Sequence, residues 1–145
     1  MKRQWNEQEL GEHWSLSHGD YELLRHRTGH SRIGFAVVLK FFTIEGRFPK
    51  DRNEVPNVAL EYIADQVSVS PDNFREYSLT GRSSERDRSQ IRELLGFQPA
   101  TVEHHDQLRE WLTAEVLPLE HKREHILESA LEWCRKTSIE RTFRT

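Results

Sequence analysis

An all-α fold is predicted by three observations. Helix-start signals recur along the chain, with Ser17, Ser70 and Thr101 each opening a segment of helical spacing. Ile33, Phe35, Ala36, Val37, Val38, Leu39, Phe41, Phe42 and Ile44 surround a helix almost completely, as in a buried central helix. No stretch shows a convincing strand pattern. The expected architecture is a compact bundle of about six helices forming a single domain over 1–145, with one pair resembling a helix-turn-helix.

Each element follows in order. Ser17 with Asp20 forms a capping box ahead of Tyr21, Leu23 and Leu24, and Gly29 ends that helix. The central helix runs from about Ser31 to Glu45, with Gly46 at C′. A buried strand would be equally apolar, but this span is long for one. Arg47 to Val55 is a connector, extended at Phe48 because it precedes Pro49. Pro56 suits a first helical turn, and Leu60, Ile63, Ala64 and Val67 line one side of the helix after it. Ser70 caps a short helix with Pro71 at N1, running through Phe74 and Tyr77. Ser78 to Ser84 is a polar loop, and Ser84 caps a helix through Ile91, Leu94 and Leu95 that Gly96 closes. Thr101 opens a helix carrying Leu108, Trp111, Leu112 and Val116, stopped by Pro118. The last helix, about Leu119 to Lys136, buries Ile126, Leu127, Ala130, Leu131 and Cys134. Phe35, Leu39, Phe42, Ile63, Phe74, Ile91 and Leu94 are assigned to the core.

Composition narrows the function. The 145 residues are 35% hydrophobic and 31% charged, yet 4 Trp, 7 Phe and 3 Tyr can anchor a core, which argues against full disorder. No apolar run approaches the roughly 20 residues that span a bilayer, and no signal peptide opens the chain. One cysteine excludes an internal disulfide and a cysteine-cluster zinc site. A cytoplasmic protein with no membrane partner is expected. The net charge of −3 gives no global basic field. Charge is segregated, however: Arg25, Arg27, Arg32, Lys40, Arg47, Lys50 and Arg52 crowd one segment, and 53–74 holds only acids.

Catalytic patterns do not assemble. His121-Lys122-Arg123-Glu124-His125 matches H-x-x-E-H, but its face continues into Glu128 and Glu132 and reads as solvated surface. His104-His105 is a polar first turn, and Cys134 lies on an apolar stripe as a packed thiol. Ser15, Ser17, His18 and Asp20 are too close in sequence for triad geometry. Neither G-x-x-x-x-G-K-[ST] nor G-x-G-x-x-G occurs.

Binding is the remaining signal. Ile63 to Phe74 has helix-turn-helix rhythm, though Ser68 stands where Gly is usual and Asp72 opens the second helix. Arg75, Arg82, Arg86, Arg88 and Arg92 follow, and Ser83 or Ser84 could join them at phosphates or base edges. The same helix could equally be a solvated surface with Glu85 and Glu93 pairing along it. Arg25, Arg27, Arg32, Lys50 and Arg52 form a second basic set for a nucleic-acid backbone or an acidic partner.

Several segments together resemble a known family. They are Trp14-Ser15-Leu16-Ser17, Arg32 to Phe41, Glu45-Gly46-Arg47-Phe48-Pro49, Val55-Pro56, Tyr62-Ile63-Ala64-Asp65-Gln66-Val67, and Arg88 to Phe97. In this order, over about 14–97, they resemble the N-terminal domain of the Tn-three family of bacterial replicative transposases. The resemblance implies recognition of double-stranded DNA at a transposon's terminal inverted repeats. It also implies that strand cutting belongs to a distant Asp-Asp-Glu site with a divalent metal, magnesium, outside this chain. On this reading the chain is not an enzyme by itself and needs no cofactor. Arg75, Arg82, Ser84, Arg86, Arg88 and Arg92 would then be the principal DNA contacts, with Arg25, Arg27 and Arg32 secondary. The different-class alternative is a protein-interaction module that pairs transposase chains or positions other domains. One departure stands out: the family usually has a His-Arg pair before the Ile-Arg element, and here Asp87 precedes Arg88.

Overall fold

The computed structural model describes residues 1–99, 101–116 and 122–140. Pro118 as a helix stop, Leu119 as a helix start and the His121 end of the H-x-x-E-H pattern lie outside them. The described residues form helices α1 (Glu7–His13), α2 (His18–Leu24), α3 (Gly29–Glu45), α4 (Asn57–Val67), α5 (Arg82–Leu95), α6 (Val102–Trp111) and α7 (Arg123–Lys136). Short 3-10 helices cover Arg52–Glu54 and Pro71–Glu76, and a π-helical turn covers Leu112–Val116. The one extended pairing among these residues is an isolated bridge between Gln98 and Ile139, so the fold is all-α. The chain divides into two compact units, Met1–Ile91 and Arg92–Thr145.

In the first unit α3 is the organising element. Ile33, Phe35, Ala36, Val37, Val38, Leu39, Phe41 and Phe42 are all buried on it. Fully burying each large apolar side chain stabilises by about 1.5–3 kcal/mol. Gly46 ends the helix in the left-handed region, at φ 71°. The next residues lock the connector. Phe48 packs its ring 4.5 Å from Phe42, while buried Arg47 pairs with Glu54 at 2.7 Å and donates to the Phe48 carbonyl. The Gly-Arg-Phe-Pro motif is therefore a structural device.

The other resembling segments also join to one another. Gln66 donates to the Trp14 carbonyl at 2.9 Å and accepts from the Leu16 amide at 2.8 Å. Ser15 and Tyr62 share a hydroxyl–hydroxyl bond of 2.9 Å. One motif thereby staples the chain ahead of α2 to α4.

Several local expectations change. Asn6 and Glu9 form a capping box that opens α1, a helix the reading above did not contain. Gly29 begins α3 instead of ending α2, because Thr28 takes the extended N-cap conformation. Pro56 is the N-cap of α4, one place before its first turn. Ser84 is not a cap: α5 starts at Arg82, and Ser84 is buried within the first turns. Leu94 is half exposed, since Leu95, one full turn after Ile91, takes the inward position.

The second unit contains α6 and α7 with the end of α5. Thr101 caps α6 as expected, its hydroxyl accepting from the His104 amide. Ala130, Cys134 and Ile139 are buried, so the thiol is packed. The Glu140 amide donates to the Gln98 carbonyl at 2.9 Å, and the Gln98 amide to the Ser138 carbonyl, beside the Arg92–Glu140 ion pair.

Two consequences can be measured. Arg47→Ala and Glu54→Ala should each destabilise by about 3–5 kcal/mol in urea unfolding, because each removes one partner of a largely buried ion pair. The double variant should lose less than the two singles added together. Asp20 provides a pH test. Burial opposes its ionisation, but Lys40 at 2.7 Å and the Ser17 amide outweigh that and lower its pKa below 3.8. Its stabilising contribution is therefore present above 3.8 and is lost as pH falls through the depressed value. Lys40→Met should flatten that acid limb of a thermal-melting series.

Candidate nucleic-acid interface

The basic residues singled out by sequence separate into two groups. Arg27 donates to Asp87 Oδ1 at 2.9 Å and lies over the Phe35 ring at 4.1 Å. Arg32 donates to the carbonyls of Leu24 and Val67, satisfying the C-terminal ends of α2 and α4. Arg52 does the same for Phe74 and Tyr77 at the end of the second 3-10 helix. Arg88 donates to the Leu79 carbonyl at 2.7 Å, to Ser84 Oγ at 3.0 Å and to Glu85 at 2.5 Å. Arg92, in the second unit, pairs with Glu140 at 3.1 Å. Ser84 is buried under Arg88. These side chains hold the fold, and their polar groups already have internal partners.

Arg75, Arg82 and Arg86 differ. All three are exposed, and no hydrogen bond or ion pair engages their side chains among the described residues. Arg25 is 70% exposed, with Glu22 3.7 Å away. Within the first unit the arginines free of an internal partner are thus Arg75, Arg82 and Arg86. Two of them sit one turn apart on α5.

The helix-turn-helix pair takes an altered form. Its second member is a six-residue 3-10 helix, Pro71–Glu76, where an α-helix was expected. Ser70 caps it and Phe74 is buried, while Asp72, Arg75 and Glu76 face outward. α4 exposes Glu61 and Asp65. This pair presents more acid than base.

What fixes α5 is a buried polar node. The Tyr77 hydroxyl donates to Asp87 Oδ2 at 2.6 Å while Arg27 serves Oδ1. Burial, then the hydrogen bond and charge of Asp87, push the tyrosine pKa far upward, so the hydroxyl remains a donor. The Tyr77 ring reaches this place by lying against the backbone of α3 at Gly34. Any Cβ at that position would fall within the ring. α5 buries only Ser84, Asp87 and Ile91, so polar bonds share its anchoring with one apolar side chain.

Beside this node is a cleft of about 470 Å³, lined by His30 and Ser31 of α3, Glu76 and Ser78, and Ser83, Arg86 and Gln90 of α5. Its chemistry is that of hydrogen-bond donors with one free guanidinium and a carboxylate at Glu76. Gln90 falls within the resembling segment Arg88 to Phe97 but was not singled out as a contact, although it stands one turn from Arg86. Among the described residues no three His, Cys, Asp or Glu side chains form a group able to hold a metal ion. No helix among them is long and apolar enough to cross a membrane.

Comparison with known proteins decides the family. Residues 1–142 match the family described as "Domain of unknown function (DUF4158)". The chain belongs to this family. It is 30% identical over 129 residues to the transposase for transposon Tn21 of Escherichia coli, covering 85% of this chain and 12% of that protein. The transposase for transposon Tn3926 of Escherichia coli is 30% identical over 134 residues, covering 90% of this chain and 13% of the relative. The transposase for transposon Tn1546 of Enterococcus faecium is 26% identical over 132 residues, with the same coverage. The resemblance read from the ordered motifs is thus borne out. This DUF4158 chain spans about one-eighth of the length of those relatives.

The node makes a direct prediction. Gly34→Ala should cost about 1–3 kcal/mol through overpacking against Tyr77. Tyr77→Phe should cost a similar about 1–3 kcal/mol, because Asp87 keeps its charge and loses a donor. Thermal unfolding of both variants checks this.

Proposed function

We propose that this chain is a DNA-binding domain that recognises the terminal inverted repeats of a transposon and serves a transposase in DNA transposition and recombination. The observation that carries the reading is the division of the arginines. Most are bonded internally, but Arg82 and Arg86 have no partner among the described residues and are exposed on α5 with Ser83 and Gln90. Unpaired guanidinium groups on one helix face suit phosphate oxygens and guanine edges. Arg75 and Arg25 would extend the basic surface, and the relatives are transposases by name. Arg27, Arg32, Ser84, Arg88 and Arg92 act beneath that surface, through the helices they anchor. Strand cutting would belong to residues outside this chain, consistent with its small share of the relatives' length.

Fluorescence anisotropy against the element's inverted-repeat duplex and a scrambled duplex, over a salt series, tests the proposal. Tighter binding to the repeat with a steep salt slope is expected, since displaced counterions drive phosphate contact. Arg82→Ala should weaken binding to both duplexes and reduce the slope by about one if it contacts phosphate. Absence of binding to either duplex would transfer the role to pairing of transposase chains.

A further inference from the structure

The geometry points to α5 as a major-groove recognition helix in which Arg86 and Gln90 read neighbouring bases, a guanine and an adenine. This rests on the DNA-binding reading above and names the groove and bases it would use.

The first support is the way α5 is mounted. Arg82, Ser83, Glu85, Arg86, Ser89 and Gln90 are all exposed along the part of α5 in the first unit. The cleft keeps one flank open. A helix with side chains is about 10–12 Å across and the major groove about 12 Å wide, so a reading helix must stand clear of its own protein in this way. α3, buried nearly all round, cannot do so, and α4 offers Glu61 and Asp65 outward.

The second support is residue chemistry at one spacing. Arg86 and Gln90 are at i,i+4 and therefore share a face. Their separation is about 6 Å along the helix axis, close to two base steps. Arginine pairs bidentately with guanine O6 and N7, and glutamine with adenine N6 and N7. Arg86 has no intramolecular partner among the described residues. Gln90 has only a long 3.5 Å contact, from Arg27 to Oε1, so its amide can be redirected at little cost.

The third support is orientation. Asp87 sits between these two residues in sequence and is bonded through both carboxylate oxygens, to Arg27 and to Tyr77. The inward side of the helix is thereby fixed, and Arg86 and Gln90 are held on the solvent-exposed flank that borders the cleft. Asp87 is a positioning residue in this scheme.

The test is selection of duplexes with a randomised core by the whole 145-residue chain, run in parallel for wild type, Arg86→Ala, Gln90→Ala and Gln90→Glu. Wild type should enrich a guanine and an adenine within about two base pairs of each other. Arg86→Ala should lose the guanine preference and Gln90→Ala the adenine preference, each with about a 5- to 100-fold loss of affinity for the selected duplex. Gln90→Glu should change its position from adenine to cytosine, a gain that unfolding could not produce. Replacing the selected purine by its 7-deaza analogue removes N7 alone, and should weaken wild type while leaving the matching alanine variant unaffected. Identical consensus sequences from all four proteins would overturn the inference. So would salt-dependent wild-type binding without sequence enrichment, which leaves backbone binding intact. No wild-type binding at any salt concentration would remove the DNA-binding reading and this one with it.

Discussion

The first unit depends on how closely an aromatic ring can approach a helix backbone. α3 is covered on nearly every side by its own apolar residues, which leaves little room for anything polar to come near. Gly34 is the exception, and the Tyr77 ring occupies the space that a side chain there would fill. With the ring in that position, the hydroxyl has one place to go, the Asp87 carboxylate. A buried carboxylate is costly unless charged or strong donors surround it, and Arg27 completes the set. Three segments are thus tied at one point: the approach to α3, the end of the second 3-10 helix some fifty residues later, and α5 just beyond it.

That node explains why α5 can be both firmly placed and widely exposed. A helix held by apolar packing must bury a stripe of large side chains, and the side chains left outside are whatever remains. α5 instead uses Ile91 together with Ser84, Asp87 and Arg88, whose bonds run to backbone and side-chain groups nearby. Hydrogen bonds to charged groups contribute about 1.5–3 kcal/mol each when their partners are in place. Orientation therefore comes from a few directional contacts, and the rest of the helix surface stays available to a partner.

Much of this fold was legible locally. The buried α3, the Ser17 and Thr101 capping boxes, the Gly46 stop and the packed Cys134 all follow from spacing and cap chemistry within a few residues. The same logic would have found α1, since Asn6 and Glu9 carry the capping pattern, but its sparse apolar residues gave no periodicity to support it. The site was less legible. Arg88 and Arg92 form the most conspicuous i,i+4 pair, yet Arg88 turns to the Leu79 carbonyl and Arg92 to Glu140. Which arginines remain outside is decided by the pairing of Arg27 with Asp87, sixty residues away. No window along the chain contains that information.

The same pairing depends on the acceptor chemistry of the residue at position 87. A carboxylate presents two oxygens and can accept from Tyr77 and Arg27 together. A neutral imidazole has a single acceptor nitrogen and could serve only one of them. At 6% exposure, Asp87 lies beneath α5 and not on its outward face. The aspartate here and the arginine at 27 thus act together in seating α5. A change at 87 would disturb the seating of α5 and with it the placement of Arg86 and Gln90, which line the neighbouring cleft. Asp87 therefore sets the mounting of α5, and the mounting decides which of its side chains stay exposed.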